Sequence, residues 1–177
     1  MANASSGRIQ NAGVTYNIKT QAKPPYNKVE YRTPGTFTFN VPNNVTTLQI
    51  SVAGAGGGSI NATSVINVVH NGGNGELVQQ ILTVSVKTIT IKVGAGGQAF
   101  NEGQQPPLEG DEMRTPSGEA SQVVSGKVII NALGGQGAGV TSNGANAGNG
   151  QGGKGGIGAN RTDGEAGWVI IEYGGDI

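Results

Sequence analysis

A single histidine, His70, and no cysteine limit the chemistry open to these 177 residues. A lone histidine at the end of an apolar run is ordinarily a structural hydrogen-bonding group, and metal ligation through it would need a second His or a Cys. Without thiols there is neither a disulfide framework nor redox chemistry. Carboxylates cluster once, at Glu109, Asp111 and Glu112. They lack the spacing of a calcium-binding EF-hand loop and its closing glutamate. Asp163 and Glu165 form a smaller pair, but paired acids do glycosidase chemistry only across a cleft. No serine stands in a G-x-S-x-G context. Gly54-Ala55-Gly56-Gly57-Gly58 follows a strand pattern, as a dinucleotide fingerprint would. No helical pattern follows to supply the amide site for a phosphate. The tracts GGNGELV and GGQGAGV lack the aspartate of calcium-binding GGxGxD repeats. The residues therefore read as a protein that is not an enzyme and holds no cofactor or metal.

Composition sets the frame that must position whatever else is here. Glycine supplies 33 of the 177 residues, well over twice its usual share of roughly 7%. Leu, Ile, Val and Phe total 39, just above the roughly one-fifth of a chain below which disorder is expected. Net charge is zero, so self-repulsion does not oppose folding. The chain can fold, but its apolar supply is thin, and assembly into a homo-oligomer would help it. No apolar stretch is long enough for a membrane-spanning helix. The opening MANASSGRIQNAG has neither the charged start nor the apolar run of a signal peptide. Arg8, Lys19, Lys23, Lys28 and Arg32 face only Glu30 in the first 35 residues. Five spaced charges without a cluster do not make a nucleic-acid site.

The pattern divides the chain into an extended N-terminal arm, 1–33, and a glycine-rich β domain, 34–177. In the arm only Val14, Tyr16 and Ile18 alternate, so it reads as extended chain or short edge strands. Phe37, Phe39 and Val41 alternate with polar residues over 35–41, and Leu48, Ile50 and Val52 do so over 45–52. With Pro42-Asn43-Asn44 between them, the two strands are expected to form a hairpin. Strands are also expected over 63–69 and 76–84, joined by a turn at 71–75, and over 88–93. A small hairpin is expected over 122–130 around Ser125-Gly126, and Trp168–Tyr173 (WVIIEY) should pair with the first hairpin. Residues 98–118, with Pro106-Pro107, read as a long loop. Glycine and β-branched content oppose helix throughout.

Two strands run directly into similar tracts, Gly54-Ala55-Gly56-Gly57 and Gly94-Ala95-Gly96-Gly97. Over 134–158 small residues recur at every third position: Gly144, Ala147, Gly150, Gly153 and Gly156. A period of three is that of a polyproline II helix, and glycine faces allow such helices to pack backbone to backbone. A flexible linker has a similar composition. A disordered 25-residue insert within a domain closed by its last strand would be unusual. The fold class expected is thus all-β: an antiparallel β-sandwich-like domain with glycine-rich tracts, open to polyglycine II packing or a linker, preceded by the arm.

The segments TPGTFTFNVPNNVTTLQISVAGAGGG, TITIKVGAGG and GEAGWVIIEYGG together resemble the glycine-rich domains of bacteriophage tail fibres and tail-tip adhesins. The match covers about residues 33–175, although 59–70 are strand-like where the family is glycine-rich. The resemblance implies a virion protein, made in the host cytoplasm without a signal peptide, that binds a host-cell receptor through loops on a β or polyglycine II framework. Its partners would be other virion proteins, through the arm, and a surface polysaccharide or outer-membrane protein of the host. Adaptable polar loop residues suit such contacts, which singles out Phe100, Asn101, Gln104 and Gln105, and in the glycine tract Asn143, Asn146, Asn149 and Arg161. The alternative role is a structural component of the particle, in the capsid or tail, anchored by the arm and binding no receptor.

Overall fold

The computed structural model describes residues 24–62, 67–101 and 113–175, with the backbone alone at Asn101, and the backbone of two strands nearer the N-terminus. The described chain is all-β. Its strands are β1 (Ser6–Asn11), β2 (Val14–Lys19), β3 (Asn27–Tyr31), β4 (Gly35–Asn40), β5 (Thr47–Ala53), β6 (Ile60–Ala62), β7 (Val68–His70), β8 (Leu77–Thr83), β9 (Thr88–Val93), β10 (Phe100–Asn101), β11 (Ser121–Ser125), β12 (Val128–Ala132) and β13 (Trp168–Tyr173). Among the described residues the one helical turn is a 3₁₀ turn, Gly158–Asn160.

Two four-stranded antiparallel sheets, ordered β12-β11-β9-β4 and β3-β13-β5-β8, face one another. Alternation puts one row of each strand into the space between them. Leu48, Ile50 and Val52 of β5 meet Ile89, Ile91 and Val93 of β9, with Val169 and Ile171 of β13 and Val123 of β11 beside them. All nine are at most 1% exposed, and each contributes roughly 1.5–3 kcal/mol by leaving water. Aromatic pairs close the seam beside β4. Tyr31 meets Phe37 with ring centroids 5.2 Å apart, and Phe39 meets Tyr173 at 5.8 Å.

At one end of the sandwich the strands do not turn back. They continue as extended segments whose hydrogen bonds advance in steps of three residues. Residues 54–59 leave β5, 94–99 leave β9 and 133–139 leave β12. Residues 71–76, 115–120 and 162–167 run the other way into β8, β11 and β13. The 54–59 segment is the axis. Gly54 and Gly57 donate to the carbonyls of Glu76 and Gly73, Ala55 and Gly58 to those of Glu119 and Pro116, and Gly56 to that of Glu165, all at 2.9–3.1 Å. Their own carbonyls accept from Gly153 and Gly156, from Gly135 and Ala138, and from Gly97. The axis is therefore bonded to six neighbouring segments. A three-residue turn presents three faces, and here each face donates to one neighbour and accepts from another. This is polyglycine II packing, in which a helix without internal hydrogen bonds must pair every amide with a neighbour.

The six neighbours are also bonded in a closed ring. Gly75 donates to Gly153, Glu165 to Lys154, Gly164 to Gly97, Glu119 to Ala95, Gly118 to Gly135 and Gly73 to Gln136. An eighth segment, 143–147, lies outside the ring, where Gly144 and Ala147 donate to Asn71 and Asn74 and its Ala145 carbonyl accepts from Gln136. The eight segments alternate in direction along the chain. Glycine is required here by contact rather than by torsion. None of the axis glycines has a positive φ, but a Cβ on Gly57 would lie 2.1 Å from the Gln136 carbonyl oxygen, and one on Gly56 would lie 1.9 Å from that of Lys154.

Several expectations are corrected. β4 and β5 do not form a hairpin: β4 pairs with β9, and β5 with β8 and β13. Each strand has one strongly apolar face, and the 41–46 link, with Asn44 at φ 69°, carries the chain from one sheet to the other so that the faces meet. β13 does pair with β5, but its second neighbour is β3, which lies within the stretch read as an arm. Residues 71–75 are a segment of the bundle rather than a turn. Of the strand expected over 63–69, the positions 63–66 lie outside the described residues. The hairpin of β11 and β12 forms as expected, with Gly126 at φ 59° in its turn.

Candidate functional site

Where the segments reverse, at the end remote from the sandwich, the chain builds a small tip. β6 pairs antiparallel with β7 and parallel with β10, so the links following the 54–59 and 94–99 segments come together. Polar side chains, of which Ser59 and Asn61 are buried, tie in the others. Asn61 Nδ2 donates to the Gly158 carbonyl at 3.0 Å, and Ser59 Oγ to that of Thr162 at 2.7 Å. Asp163 Oδ1 accepts from the Ala99 amide at 2.6 Å. His70 Nδ1 lies 2.7 Å from the Gly139 carbonyl. Because a carbonyl only accepts, that nitrogen carries the proton, and the histidine is a strut between two links.

The candidate residues divide by place. Phe100 stands in β10, half-buried, its amide donating to the Ser59 carbonyl. Asn101 follows it in the same strand, paired with Asn61. Arg161 is exposed at the end of the 3₁₀ turn, in the left-handed conformation at φ 56°. The fold thus brings Phe100, Asn101 and Arg161 to one end of the molecule. Gln104 and Gln105 lie outside the described residues, as do Glu109, Asp111 and Glu112. Asn143, Asn146 and Asn149 run along the flank of the bundle. Their Oδ1 atoms accept from the backbone amides of Asn71, Asn74 and Leu77 at 2.8, 2.8 and 2.9 Å. Both rows step by three, so three side chains take the place of a missing neighbour segment. Among the described residues no group of three or more His, Asp or Glu is placed to hold a metal ion.

A feature absent from the sequence reading is a groove of about 590 Å³ over the outer face of residues 154–157, walled by Asn71 and Asn74 on one side and by Thr162, Asp163 and Glu165 on the other. Asn71 and Asn74 Oδ1 accept from the amides of Gly158 and Gly155, both near 2.8–2.9 Å. Glu165 Oε2 accepts from the Lys154 amide at 3.2 Å, and Thr162 Oγ1 from that of Ile157 at 2.8 Å. The three-residue spacing of Asn71 with Asn74, and of Lys154 with Ile157, was the one signal that could have found it.

The perturbed titratable groups lie elsewhere, on the sandwich. Hydrogen bonds from Lys28 and Arg32 hold the Glu30 carboxyl below its usual range. The hydrogen bond from Tyr26 to Glu172 raises the phenol, and burial raises Tyr31. Arg32 also lies over the Trp168 ring, 5.7 Å from its centroid.

A family model described as a glycine-rich domain matches residues 32–175. No curated protein matches the chain.

Proposed function

The chain belongs to that glycine-rich domain family, and from this premise we propose that it is a host-attachment protein of a bacteriophage particle, a tail-fibre or tail-tip adhesin. The single observation that carries the reading is the division of labour in the fold. A backbone-bonded, glycine-rich bundle whose buried side chains are small holds connecting links at one end, and Phe100, Asn101 and Arg161 collect there. Attachment needs a rigid support and a variable end, and loops on a rigid scaffold are where recognition residues concentrate. The sandwich lies at the opposite end of the bundle, and the N-terminal arm enters beside it through β3. This leaves the arm to join the rest of the particle.

The test is binding of the purified, labelled protein to intact cells of candidate hosts. Removing residues 1–23 should leave binding unchanged. The pair Phe100→Ala with Arg161→Asn should reduce it at least about tenfold, the loss expected for truncating central contacts, at an unchanged melting temperature. Asn is chosen because it tolerates the left-handed backbone of position 161. Folded protein that binds no host cell, yet enters particles only when residues 1–23 are present, would make it a structural component of the virion instead.

A further inference from the structure

We propose that the flank groove over residues 154–157 is a second binding site, and that its ligand is an uncharged saccharide. The inference goes beyond host attachment at the tip, and holds whether the tip's receptor is a protein or a polysaccharide.

The groove is polar on both walls and held rigid by the bundle. Asn74 is fully used, its Nδ2 donating to the Gly150 carbonyl, but each of the other four lining side chains that cap a backbone amide has one polar group left over. Asn71 keeps its Nδ2 donor, Thr162 its hydroxyl proton, Glu165 its Oε1 acceptor and Asp163 its Oδ2 acceptor. None of these has a partner among the described residues, and neither does the ammonium of Lys154. Donors and acceptors are thus interleaved along one wall-to-wall span. A hydroxyl both donates and accepts, so a polyol is the ligand that uses such a set fully. One ammonium stands against two carboxylates, which disfavours phosphate, sulfate or sialyl groups. Ile157, 48% exposed, offers an apolar surface to the C–H face of a pyranose ring. The volume, about 590 Å³, falls within the roughly 300–1,000 Å³ of small-ligand sites. Because the side chains are already fixed by their bonds to the amides of 99, 154, 157 and 158, little ordering cost remains for binding.

The experiment is an amide-resolved NMR titration of the full chain with neutral trisaccharides of glucose, galactose and mannose, and with a sialylated trisaccharide. Saturable shifts are expected at Gly155, Gly156, Thr162 and the Asn71 side-chain amide, from a neutral sugar more strongly than from the sialylated one. Glu165→Gln keeps an oxygen for the Lys154 amide but turns the free acceptor into a donor. It should weaken binding about tenfold with the melting temperature unchanged. Lys154→Met supplies the same test should Glu165→Gln lower stability, and Glu119→Gln, remote from the groove, should have no effect. The proposal is overturned by shifts centred on Phe100 and Arg161 rather than the groove. It also fails on preferential binding of the sialylated sugar, on wild-type affinity in both groove variants, or on no saturable shift from any probe up to ~20 mM, an affinity too weak to be a site.

Discussion

At the scale of single residues, asparagine in this protein does what a neighbouring backbone does elsewhere in the bundle. A peripheral polyglycine II segment has amides with no partner segment, and buried or half-buried amides must find an acceptor. Asn71 and Asn74 reach across to Gly158 and Gly155, while Asn143, Asn146 and Asn149 reach across to Asn71, Asn74 and Leu77. Asn74 is the most committed, since its amide, its Oδ1 and its Nδ2 are all bonded to other segments. Asn74→Ala leaves the Gly155 amide without its acceptor in a half-buried position, and should cost about 1–3 kcal/mol. Asn146→Ala exposes the Asn74 amide where water can replace the lost oxygen, and should cost less than about 1 kcal/mol. Urea denaturation of the two variants checks the ranking. An Asn146→Ala protein as destabilised as Asn74→Ala would refute the account.

At the scale of elements, the bundle depends on the absence of side chains at particular faces. A strand tolerates a Cβ because neighbouring backbones stand about 4.8 Å apart and side chains project from the sheet. In the bundle the neighbours surround the axis, and although Ala55 is buried there with its Cβ, a Cβ at Gly54, Gly56, Gly57 or Gly58 would run into backbone. Gly57→Ala would place a methyl 2.1 Å from the Gln136 carbonyl, against backbone that is itself bonded on both sides. Overpacking usually costs about 1–3 kcal/mol, and this substitution should exceed that range because no rotamer can yield. Gly126→Ala, in the β11–β12 turn at φ 59° with only Val86 Cγ1 at 3.4 Å, meets the torsional cost alone, about 1–2 kcal/mol. Thermal melts of the two variants should therefore differ clearly, and equal melts would show that the axis relaxes.

For the whole molecule, the sandwich and the bundle are one cooperative unit, since six of the bundle's segments are uninterrupted continuations of sandwich strands. The sandwich supplies the hydrophobic drive through Leu48, Ile50, Ile89, Ile91 and their neighbours. The bundle adds hydrogen bonds but buries few large apolar groups, so it has little drive of its own. Ile91→Ala, a core truncation costing about 2–5 kcal/mol, should lower the melting of both parts together. Exchange protection of Gly56 and Gly57 amides should fall in step with that of Ile50. Bundle amides that keep wild-type protection while sandwich amides lose theirs would show two independent units.

The amino-acid sequence alone determined the strands, because alternation of Phe37 with Phe39, of Leu48 with Ile50 and Val52, and of Ile89 with Ile91 and Val93 is a local property of neighbouring residues. It also carried the period of three in the glycine tract, which is equally local, but the choice between a linker and polyglycine II packing rests on neighbouring segments that only the tertiary structure supplies. Which strands paired was decided only by the tertiary structure: a two-faced choice between hairpin and opposed sheets at 41–46 turns on what covers each apolar face, and that partner is distant in the chain. The same holds for 71–75, whose glycines read as a turn until the 133–139 and 152–157 segments are present to accept their hydrogen bonds. Phe100 and Arg161 could be marked as exposed loop chemistry from sequence, but their meeting at one tip follows from β10 pairing with β6. Beyond the three-residue spacing of Asn71 with Asn74 and of Lys154 with Ile157 the groove was not legible, because Asn71 meets Lys154 and Glu165 only when a segment far earlier in the chain packs beside theirs.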